Sequence, residues 1–331
     1  MIYIEPNSAD AAFCLAAEEY ITRNFDKFEE PVFMFWRTEK CVVIGRSQIA
    51  AAEVDLQAAH FHNVQIFRRS SGGGAMFSDP GNIMYSLITA FDEFEDPKKI
   101  EYEKLIGPMT GALNKMGIPA VSEGRNDITV EGTKISGLAQ YAVKKSLCTH
   151  GTLLYEADLD MLARVLKPDD EKVSSKALKS VRARVTRLYE YFDSKIPAAE
   201  FFERLKSFLF EETKPRHYDL TKYDMEQIDI IRAEKYSNPE WIHGSAPKFS
   251  FKNSKRFPAG RLEVLLDAER GIIKKCKIFG DFLGILPLEE LEQKLTGLPH
   301  EFAALAQILK TVDLRLYLGG IKPEEFMECL L

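Results

Sequence analysis

Apolar residues recur along the chain at two spacings, and these spacings predict most of its helices and strands. An apolar face at helical spacing follows Ser8, which could cap a helix that runs to about Asn24. Short apolar or alternating runs bounded by turn-forming residues predict strands. The strands predicted in this way cover 31–36, 41–45, 64–69, 82–91, 128–130, 134–136, 138–143 and 151–155, and further helices cover 105–117, 197–212 and 224–236.

A stretch rich in chain-breaking residues, from Ser237 to Pro247, separates this region from the last part of the chain. Beyond it the pattern predicts strands and then helices, which cover 248–257, 261–266, 272–279, 288–295 and 301–310. The first part mixes antiparallel strands with helices, and the last part is a small α+β unit. We therefore predict two domains, over residues 1–244 and 245–331.

Composition and charge exclude several classes of protein. The 331 residues are 45% hydrophobic and 28% charged, as in an ordinary globular protein, and the net charge of −6 argues against a general nucleic-acid binder. No apolar run approaches the ~20 residues that span a bilayer, and no basic residue precedes Arg23 as it would in a secretory signal, so no membrane partner is expected. The five cysteines are widely spaced and form no CxxC pair, which favours a reduced, cytoplasmic location.

One short segment departs from the acidic character of the chain. Residues 172–187 carry six basic side chains and no acidic one, so the rest of the chain has a net charge of −12 against −6 for the whole. The segment has no core-forming face, which makes a solvated loop or helix face the plain interpretation. A sharper interpretation is a loop that closes over an anionic ligand. Nucleic-acid binding ranks last, because a single aromatic residue, Tyr189, lies nearby.

The segment RRSSGGGAMF, residues 68–77, is the first candidate for chemistry. Three successive glycines let backbone N–H groups approach an anion, and the two arginines beside them are permanently charged donors for phosphate or carboxylate. The spacing fits neither a Walker loop nor a dinucleotide-binding fingerprint. A glycine-rich turn with exposed arginines would explain the same residues without a ligand, so this segment alone does not decide the function.

The second candidate is the hairpin around 131–133, which follows Asn126 and Asp127 and is followed by Lys134. Lys134 stands among small neighbours and could reach a carboxylate or phosphate as a point charge. Asp127 could help to hold a magnesium ion. A surface turn with a solvated lysine is the ordinary alternative.

His150 and Cys148 form the third candidate, because residues two apart on a strand share a face. A histidine beside a thiol could activate a thiolate nucleophile, but no third orienting group is identifiable. A buried, inert cysteine and a histidine with a local hydrogen bond are the plainer interpretation.

Taken together and in this order, these segments resemble the signatures of the lipoate-protein ligase family. RRSSGGGAMF (68–77) is similar to the family's RRxSGGGAVxHD, GRNDITVEGTKISGLAQ (124–140) to GRND…GKKISGxAQ, and THGTLL (149–154) to HHGTLL. KALKSVRARVTRL (176–188) resembles the KGIKSVRSRVTNL loop, and the segments 247–260 and 277–284 resemble the C-terminal accessory domain. The resemblance runs almost from end to end.

The resemblance implies an α+β fold: a class II synthetase-like catalytic domain of the biotin/lipoate ligase type, with mixed and antiparallel sheets, and a small C-terminal α+β accessory domain. It implies an ATP-dependent ligase that activates lipoate, or octanoate, to lipoyl-AMP and passes the acyl group to a specific lysine. The acceptors in such a family are lipoyl domains and the glycine-cleavage H protein. ATP with Mg²⁺, and lipoate, are the expected substrates and ion, with no tightly bound cofactor.

The resemblance also assigns roles to residues of this chain. Lys134 is expected to be catalytic, because it can neutralise the carboxylate and then the acyl-phosphate oxygens. The residues expected to bind ATP and lipoyl-AMP are Arg69, Ser71, Gly73, Gly74, Ala75, Met76, Phe77, Asn126, Asp127, Lys134, Ser136 and Gly137, with Asp127 the candidate ligand for magnesium. The expected lipoate pocket is Gly72, Lys134, His150 and Gly151, and the expected lid over the intermediate is Lys179, Ser180, Arg182 and Arg184.

Departures from the family pattern keep other functions open. Ser78 stands where a histidine is usual and Ile49 where an asparagine is usual, which leaves room for a catalytically weak lipoate-binding paralogue. The runner-up is an ATP-independent octanoyl or lipoyl transferase of the same fold, with a thioester on Cys148. A biotin ligase fits less well, because neither 68–77 nor 124–127 has that family's form.

Overall fold

The computed structural model describes residues 1–91, 102–124, 126–167, 185–192, 195–243, 251–269 and 271–331. Its strands, numbered along the chain, are β1 (Ile2–Ile4), β2 (Val32–Trp36), β3 (Cys41–Ile44), β4 (Gln65–Arg68), β5 (Met76–Ser78), β6 (Asn82–Ala90), β7 (Ala120–Glu123), β8 (Asp127–Val130), β9 (Thr133–Val143), β10 (Ser146–Leu154), β11 (Arg216–His217), β12 (Phe251–Phe257), β13 (Gly260–Glu269) and β14 (Ile272–Gly280).

The α-helices of the described residues lie between and after these strands. They are α1 (Ala11–Arg23), α2 (Ala50–Glu53), α3 (Leu56–Phe61), α4 (Glu103–Lys115), α5 (Leu159–Val165), α6 (Ala198–Leu209), α7 (Lys222–Ile231), α8 (Pro239–His243), α9 (Leu288–Leu295), α10 (Phe302–Leu309), α11 (Leu314–Leu318) and α12 (Pro323–Leu330). Short 3₁₀ helices cover Phe25–Lys27 and Leu188–Tyr191, and a π-helix covers Arg232–Tyr236.

The strands form one large sheet and two small ones. The large sheet has the order β11-β1-β2-β6-β10-β9-β8-β7, in which β1 runs parallel to β2 and β11 and the other neighbours are antiparallel. A second sheet has the order β4-β3-β5, and a third, β12-β13-β14, belongs to the C-terminal part. The predicted α+β class with mixed and antiparallel sheets is confirmed.

Helices cover both faces of the large sheet, which explains why its inner strands are apolar without interruption. Along β2, Val32, Met34 and Trp36 pack in one cluster with α1 and α7. Phe33 and Phe35 point the other way and pack in a second cluster with α4 and α6. Because side chains alternate along a strand, a continuous apolar run is needed when both faces are buried.

The N-cap of the first helix lies two residues later than predicted. The carboxylate of Asp10 accepts hydrogen bonds from the backbone N–H groups of Ala12 and Phe13, so Asp10 is the N-cap. Ser8 instead accepts from the N–H of Asp10 at 3.2 Å, so the prediction of Ser8 as the cap was wrong. Both residue types cap helices well, and the apolar face alone does not choose between them.

One long hairpin replaces several short predicted strands. β9 and β10 pair without interruption from Val143 opposite Ser146 to Ser136 opposite Leu153. Lys144, with a φ of 54°, makes the tight turn between them. Gly137 lies inside β9 and does not end it, so the predicted break between 134–136 and 138–143 was wrong.

The C-terminal domain is a three-stranded sheet covered by helices. Leu262, Val264 and Leu266 of β13 pack against α9–α12 in one apolar cluster that also holds Phe326. The predicted helix over 288–295 is α9, and that over 301–310 is α10. Residues 244–250 lie outside the described residues, so the boundary at 244/245 stays a prediction.

Two expectations from composition concern the whole chain. None of the helices in the described residues is long and apolar enough to cross a membrane. The five cysteines are all buried and unpaired, at positions 14, 41, 148, 276 and 329. The cytoplasmic location inferred from their spacing stays a prediction.

We expect the accessory domain to depend on its buried aromatic centre. Phe326 is fully buried, so Phe326→Ala should lower the free energy of unfolding of this domain by about 3–5 kcal/mol. Phe302, which is 65% exposed in the same domain, is the matched control, and Phe302→Ala should cost less than about 0.5 kcal/mol. Urea denaturation of the full chain measures both values, and equal losses would contradict this packing.

Candidate active site

A cavity of about 370 Å³ lies between the large sheet and the small β4-β3-β5 sheet. Small-molecule sites have volumes of this order, mostly apolar walls and a few polar groups. The apolar lining comes from Leu15, Trp36, Val43, Ala75, Met76, Phe77, Met84, Leu138, Ala139, Leu154, Leu162, Leu166, Val185 and Leu283. The remaining lining residues are Arg69, Gly73, Gly74, Asn126, Lys134, Gly137, His150, Gly151 and Thr152. The cavity therefore brings together all three sequence segments singled out for chemistry.

Lys134 reaches this cavity from the second position of β9. Its Nζ donates to Asp127 Oδ1 at 2.8 Å, and the two side chains are 38% and 34% exposed. A register shift between Ile128 and Thr129 places Thr129, rather than Val130, opposite Lys134. The pair is partly solvated, so Lys134 can exchange Asp127 for another anion at a small cost in free energy.

Gly137 leaves the room that the Lys134 side chain occupies. A Cβ at Gly137 would lie 2.6 Å from Lys134 Nζ and 2.7 Å from its Cε. Real Cβ atoms do not approach that closely, so any larger residue at 137 would displace the amine. The glycine in the KISG segment thus leaves the amine of Lys134 in the position that it occupies here.

Asn126 and Ser136 support the walls of the cavity. The amide nitrogen of Asn126 donates to the carbonyl of Leu138 at 2.6 Å, and the Leu138 N–H donates to the Asn126 carbonyl at 2.8 Å. Ser136 and Tyr85 share a buried hydrogen bond of 2.6 Å between their hydroxyl groups. Both predicted site residues therefore brace β9, and direct contact with a nucleotide stays a prediction for each.

Arg69 braces the glycine motif (residues 68–77) from inside. Its buried guanidinium donates to Ser71 Oγ at 2.9 Å and to backbone carbonyls of Val43, Gly72 and Gly74 at 2.6–3.1 Å. Burial lowers the pKa of Arg69 to about 10, which leaves it charged at neutral pH. Its charge therefore lies directly beneath the loop, and its predicted contact with phosphate stays a prediction.

The accessory domain closes on the tip of the glycine motif. The Gly73 N–H donates to the carbonyl of Phe282 at 3.1 Å, and a Cβ at Gly72 would meet that same oxygen at 2.6 Å. Leu283 lines the cavity, whereas nothing lies within 4 Å of a Cβ built on Gly74. Gly72 and Gly73 are thus needed for domain contact, whereas Gly74 faces open space. Leu283 also lines a larger cavity of about 530 Å³ at the domain junction, which holds none of the predicted site residues.

A buried hydrogen-bond network joins His150 to the glycine motif. His150 Nδ1 lies 2.9 Å from both carboxylate oxygens of Glu18, and its Nε2 lies 2.6 Å from Ser71 Oγ. A carboxylate only accepts, so Nδ1 carries a proton. Burial opposes ionisation of Glu18, but His150 and the hydroxyls of Ser86 and Tyr141 outweigh it and lower the pKa of the carboxyl.

Glu18, His150 and Ser71 are hydrogen-bonded in the same order as the acid, histidine and serine of a hydrolase triad. In such a triad, however, the serine is accessible to the substrate. Ser71 is fully buried and already accepts from Arg69, so its hydroxyl cannot reach a substrate. Cys148 is likewise fully buried, and burial raises the pKa of its thiol well above the usual value. Neither side chain is a nucleophile in this arrangement.

The residues of the predicted lid, Lys179, Ser180, Arg182 and Arg184, lie outside the described residues. At the end of the same basic segment, Arg187 pairs with Glu190, and the Thr186 N–H donates to the Lys134 carbonyl at 3.0 Å. The segment therefore returns to the main body of the chain beside Lys134.

Two family models match the chain in the order of its two predicted domains. Residues 10–210 match the lipoyl protein ligase A/B catalytic domain, and residues 246–330 match the bacterial lipoate protein ligase C-terminus. The chain belongs to the lipoate-protein ligase family. Lipoate-protein ligase LplJ of Bacillus subtilis (strain 168) is 35% identical over 336 residues, and the match covers 100% of both chains. The predicted enzyme class is thereby confirmed.

Solved structures agree with this lipoate-protein ligase assignment. Plasmodium falciparum LipL1 in complex with lipoate has a TM-score of 0.79 at 22% identity, over 99% of both chains, which shows the two-domain fold. The bipartite lipoate protein ligase of Thermoplasma acidophilum, reported with its E2 lipoyl domain, has a TM-score of 0.66 at 28% identity, over 76% of this chain and 98% of that one. Lipoate-protein ligase A bound with ATP has a TM-score of 0.62 at 25% identity, over 73% and 98%.

Several residues of this ligase site escape the sequence analysis. Trp36 and Leu283 lie in ordinary apolar runs, and nothing in those runs marks them as cavity walls. Glu18 did carry a signal, because an acidic residue in a helix as apolar as α1 is rarely buried without a partner. Ser78, one of the departures from the family pattern, does not line the cavity: it is buried in β5 and accepts from Thr38 at 2.9 Å.

We expect Gly137→Ala to impair ligation by moving Lys134. The added methyl group would displace the amine, and a misplacement of about 1 Å can cost up to ~100-fold in rate. Gly111→Ala in α4, where nothing lies within 4 Å of the new Cβ, is the matched control and should keep full activity. Ligation of lipoate to an acceptor protein measures both, and equal activity of the two variants would contradict the role of Gly137.

Proposed function

We propose that this lipoate-protein ligase carries out two steps in the 370 Å³ cavity. In the first, a carboxylate oxygen of lipoate attacks the α-phosphorus of ATP, the bond to the β-phosphate breaks, and pyrophosphate leaves. In the second, the amine of an acceptor lysine attacks the acyl carbon, the bond to the phosphate oxygen breaks, AMP leaves, and the amine loses a proton. The main observation behind this proposal is that Lys134 Nζ shares an apolar cavity with the glycine motif.

Lys134 is the catalytic residue of this proposal. Two anions must meet in the first step, and a cation beside the carboxylate reduces their repulsion. The same amine can then stay close to the negative charge that develops on the acyl-phosphate oxygens. Its pair with Asp127 is partly exposed, so the substrate carboxylate can replace Asp127 with little loss.

The nucleotide phosphates are proposed to lie along the open part of the glycine motif. The backbone N–H groups of Gly74, Ala75, Met76 and Phe77 begin where the accessory domain contact ends. Arg69 supports them with a buried positive charge beneath the loop. A solved relative bound to ATP supports the choice of nucleotide.

Asp127 suits the role of a single carboxylate ligand for Mg²⁺. Magnesium in nucleotide sites is usually held by one or two carboxylates together with substrate phosphates. When bound, the ion would neutralise phosphate charge. Among the described residues, the group of three possible ligand side chains within 4.8 Å is Glu18, Cys148 and His150, and Asp127 is not part of it. We therefore expect the ion to arrive with ATP.

The apolar walls are proposed to hold the acyl chain. Leu15, Met84 and Leu138 supply surface for a hydrocarbon chain. Trp36 also lines the cavity, and its indole ring adds to this apolar surface.

The remaining expectations concern the lid and the acceptor. Residues 172–187 are proposed to close over lipoyl-AMP, because a basic loop suits an intermediate that keeps a phosphate charge. The acceptor is proposed to be a lipoyl domain or an H-type protein. The relative reported with its E2 lipoyl domain supports the first of these.

The buried state of Cys148 argues against the thioester alternative. An acyl donor cannot reach a fully buried thiol that does not line the cavity, and a thiol with a raised pKa holds little thiolate at neutral pH.

Lys134→Ala should abolish the first step without unfolding the chain. We expect lipoate-dependent exchange of labelled pyrophosphate into ATP to fall by at least ~100-fold, because the carboxylate and phosphate then meet without a neutralising cation. Cys148→Ser should retain exchange and is the control for the thioester alternative. Wild-type protein without lipoate-dependent exchange would contradict the adenylation step.

Transfer should modify one lysine of an acceptor protein and require ATP. We expect intact-mass spectrometry to find one lipoyl group on a lipoyl domain or H protein only when ATP and magnesium are present. An acceptor with its target lysine changed to alanine is the control. Modification without any nucleotide would contradict the proposed sequence of steps.

A further inference from the structure

The segment that connects the two domains makes close contact with the start of the glycine motif. This connector, residues 222–243, comprises α7, the π-helix and α8, and it lies between the two stretches that the family models match. The three side chains that reach the motif are Lys235, Tyr236 and Trp241. A π-helical turn in this place is unusual, since such turns are rare and frequently occur at functional sites.

Lys235 and Tyr236 meet Ser70 and Glu19 in one buried cluster. Lys235 Nζ donates to Ser70 Oγ at 2.8 Å and to Glu19 Oε2 at 2.6 Å. The Tyr236 hydroxyl donates to the same carboxylate oxygen and lies 2.8 Å from Ser70 Oγ. Ser70 is thus held by three side chains, two of which come from the connector.

The charges of this cluster compensate one another. Burial alone would raise the pKa of the Glu19 carboxyl, but Lys235 and the hydrogen bonds from Lys235 and Tyr236 lower it to about 2. Lys235 also lies over the Trp241 ring, with Nζ 4.4 Å from the ring centre. Its position is therefore fixed by a carboxylate, a hydroxyl and an aromatic face.

A second set of bonds ties the same connector to the neighbouring arginine. The guanidinium of Arg68 donates to the carbonyls of Trp241 and Ile242 at 2.8 and 2.9 Å, and the Trp241 indole donates back to the Arg68 carbonyl at 2.9 Å. Arg68 is buried, and all its acceptors are backbone carbonyls. It is a structural residue and not a phosphate ligand.

We propose that Lys235 is a positioning residue for nucleotide binding, which acts through Ser70 on the backbone of the glycine motif. The inference rests on the proposed function, in which the N–H groups from Gly74 onward hold the phosphates. Ser70 stands next to Ser71, whose hydroxyl joins Arg69 to His150, so a displaced Ser70 moves the loop as a whole. Loss of Lys235 then weakens ATP binding more than lipoate binding, because Leu15, Met84 and Leu138 of the proposed acyl walls lie outside the glycine motif.

The test is steady-state pyrophosphate exchange with Lys235→Met, which keeps the apolar stem and removes the charged donor. We expect the KM for ATP to rise about tenfold, because the variant loses the charge-assisted hydrogen bonds of Lys235. The KM for lipoate should change by less than about twofold. Lys235→Arg keeps the charge and the donors and should stay within about threefold of wild type for ATP.

Lys27 provides a matched control for stability. Lys27 Nζ contacts Asp224 at 2.6 Å, so this pair also joins the α1 region to the connector through a buried carboxylate, but it has no contact with the glycine motif. Lys27→Met should lower the melting temperature to a similar extent and leave the KM for ATP within about twofold of wild type. An equal rise in the KM for ATP in both lysine variants would overturn the proposal.

Ser70→Ala decides the matter if Lys235→Met does not fold. It removes the loop side of the contact and leaves the Glu19–Lys235 pair, so we expect the same rise in the KM for ATP with little change in melting temperature. An unchanged KM for ATP in Ser70→Ala, in an active background, would overturn the proposal. Wild-type protein with no lipoate-dependent exchange would count against the proposed function and not against the role of Lys235.

Discussion

Two adjacent buried carboxylates on α1 are the constraint around which the active site is arranged. Glu18 and Glu19 are almost fully buried, and an ionised carboxylate in that environment must find charged or hydrogen-bonding partners. Successive residues of a helix point about 100° apart, so the two groups select partners on different sides. Glu18 fixes His150 and, through it, Ser71, while Glu19 fixes Ser70 together with Lys235. Each of the two serines of the glycine motif is thereby held by its own set of hydrogen bonds. These bonds fix the position of the backbone from which the three glycines continue.

The glycine motif contacts the accessory domain and also lines the cavity, because its glycines let two backbones approach closely. Gly72 and Gly73 lie against Phe282, with no space for a Cβ at Gly72, so the accessory domain takes up the tip of the motif. The residues from Gly74 onward are left free of that contact. The three glycines are therefore not equivalent: the first two permit domain contact, and the third leaves backbone donors open to an anion. The accessory domain also supplies Leu283 to the cavity wall, which makes it part of the site as well as a neighbour of it.

The sequence predicts local elements and the chemistry of motifs well. It predicts poorly which distant residues pair with a buried strand or a buried charge. The strands at 31–36 and 41–45 and the helix at 288–295 follow from apolar spacing alone, because that spacing reports which faces are buried. The short strands β1 and β5 went unpredicted, since each owes its conformation to pairing with strands distant in sequence. The same limit applies to the site. Lys134 and the glycine motif carry their chemistry in local sequence, whereas two partners of Glu19, Lys235 and Tyr236, lie more than 200 residues away in the connector. No spacing rule relates such positions.

The site places its positive charges in two different environments, and the difference suits a reaction that aligns anions. Arg69 is buried and satisfied by its own loop and by the carbonyl of Val43 in β3, so its charge is fixed and needs no reorganisation when a ligand binds. Lys134 is paired with Asp127 in a partly solvated position, where such a pair contributes only about 0–1 kcal/mol. A substrate carboxylate can therefore take the place of Asp127 at little cost, which a fully buried pair would not allow. In the proposed reaction, a fixed charge beneath the phosphates and an exchangeable one beside the carboxylate supply what adenylation requires, so that the cavity needs no nucleophile of its own.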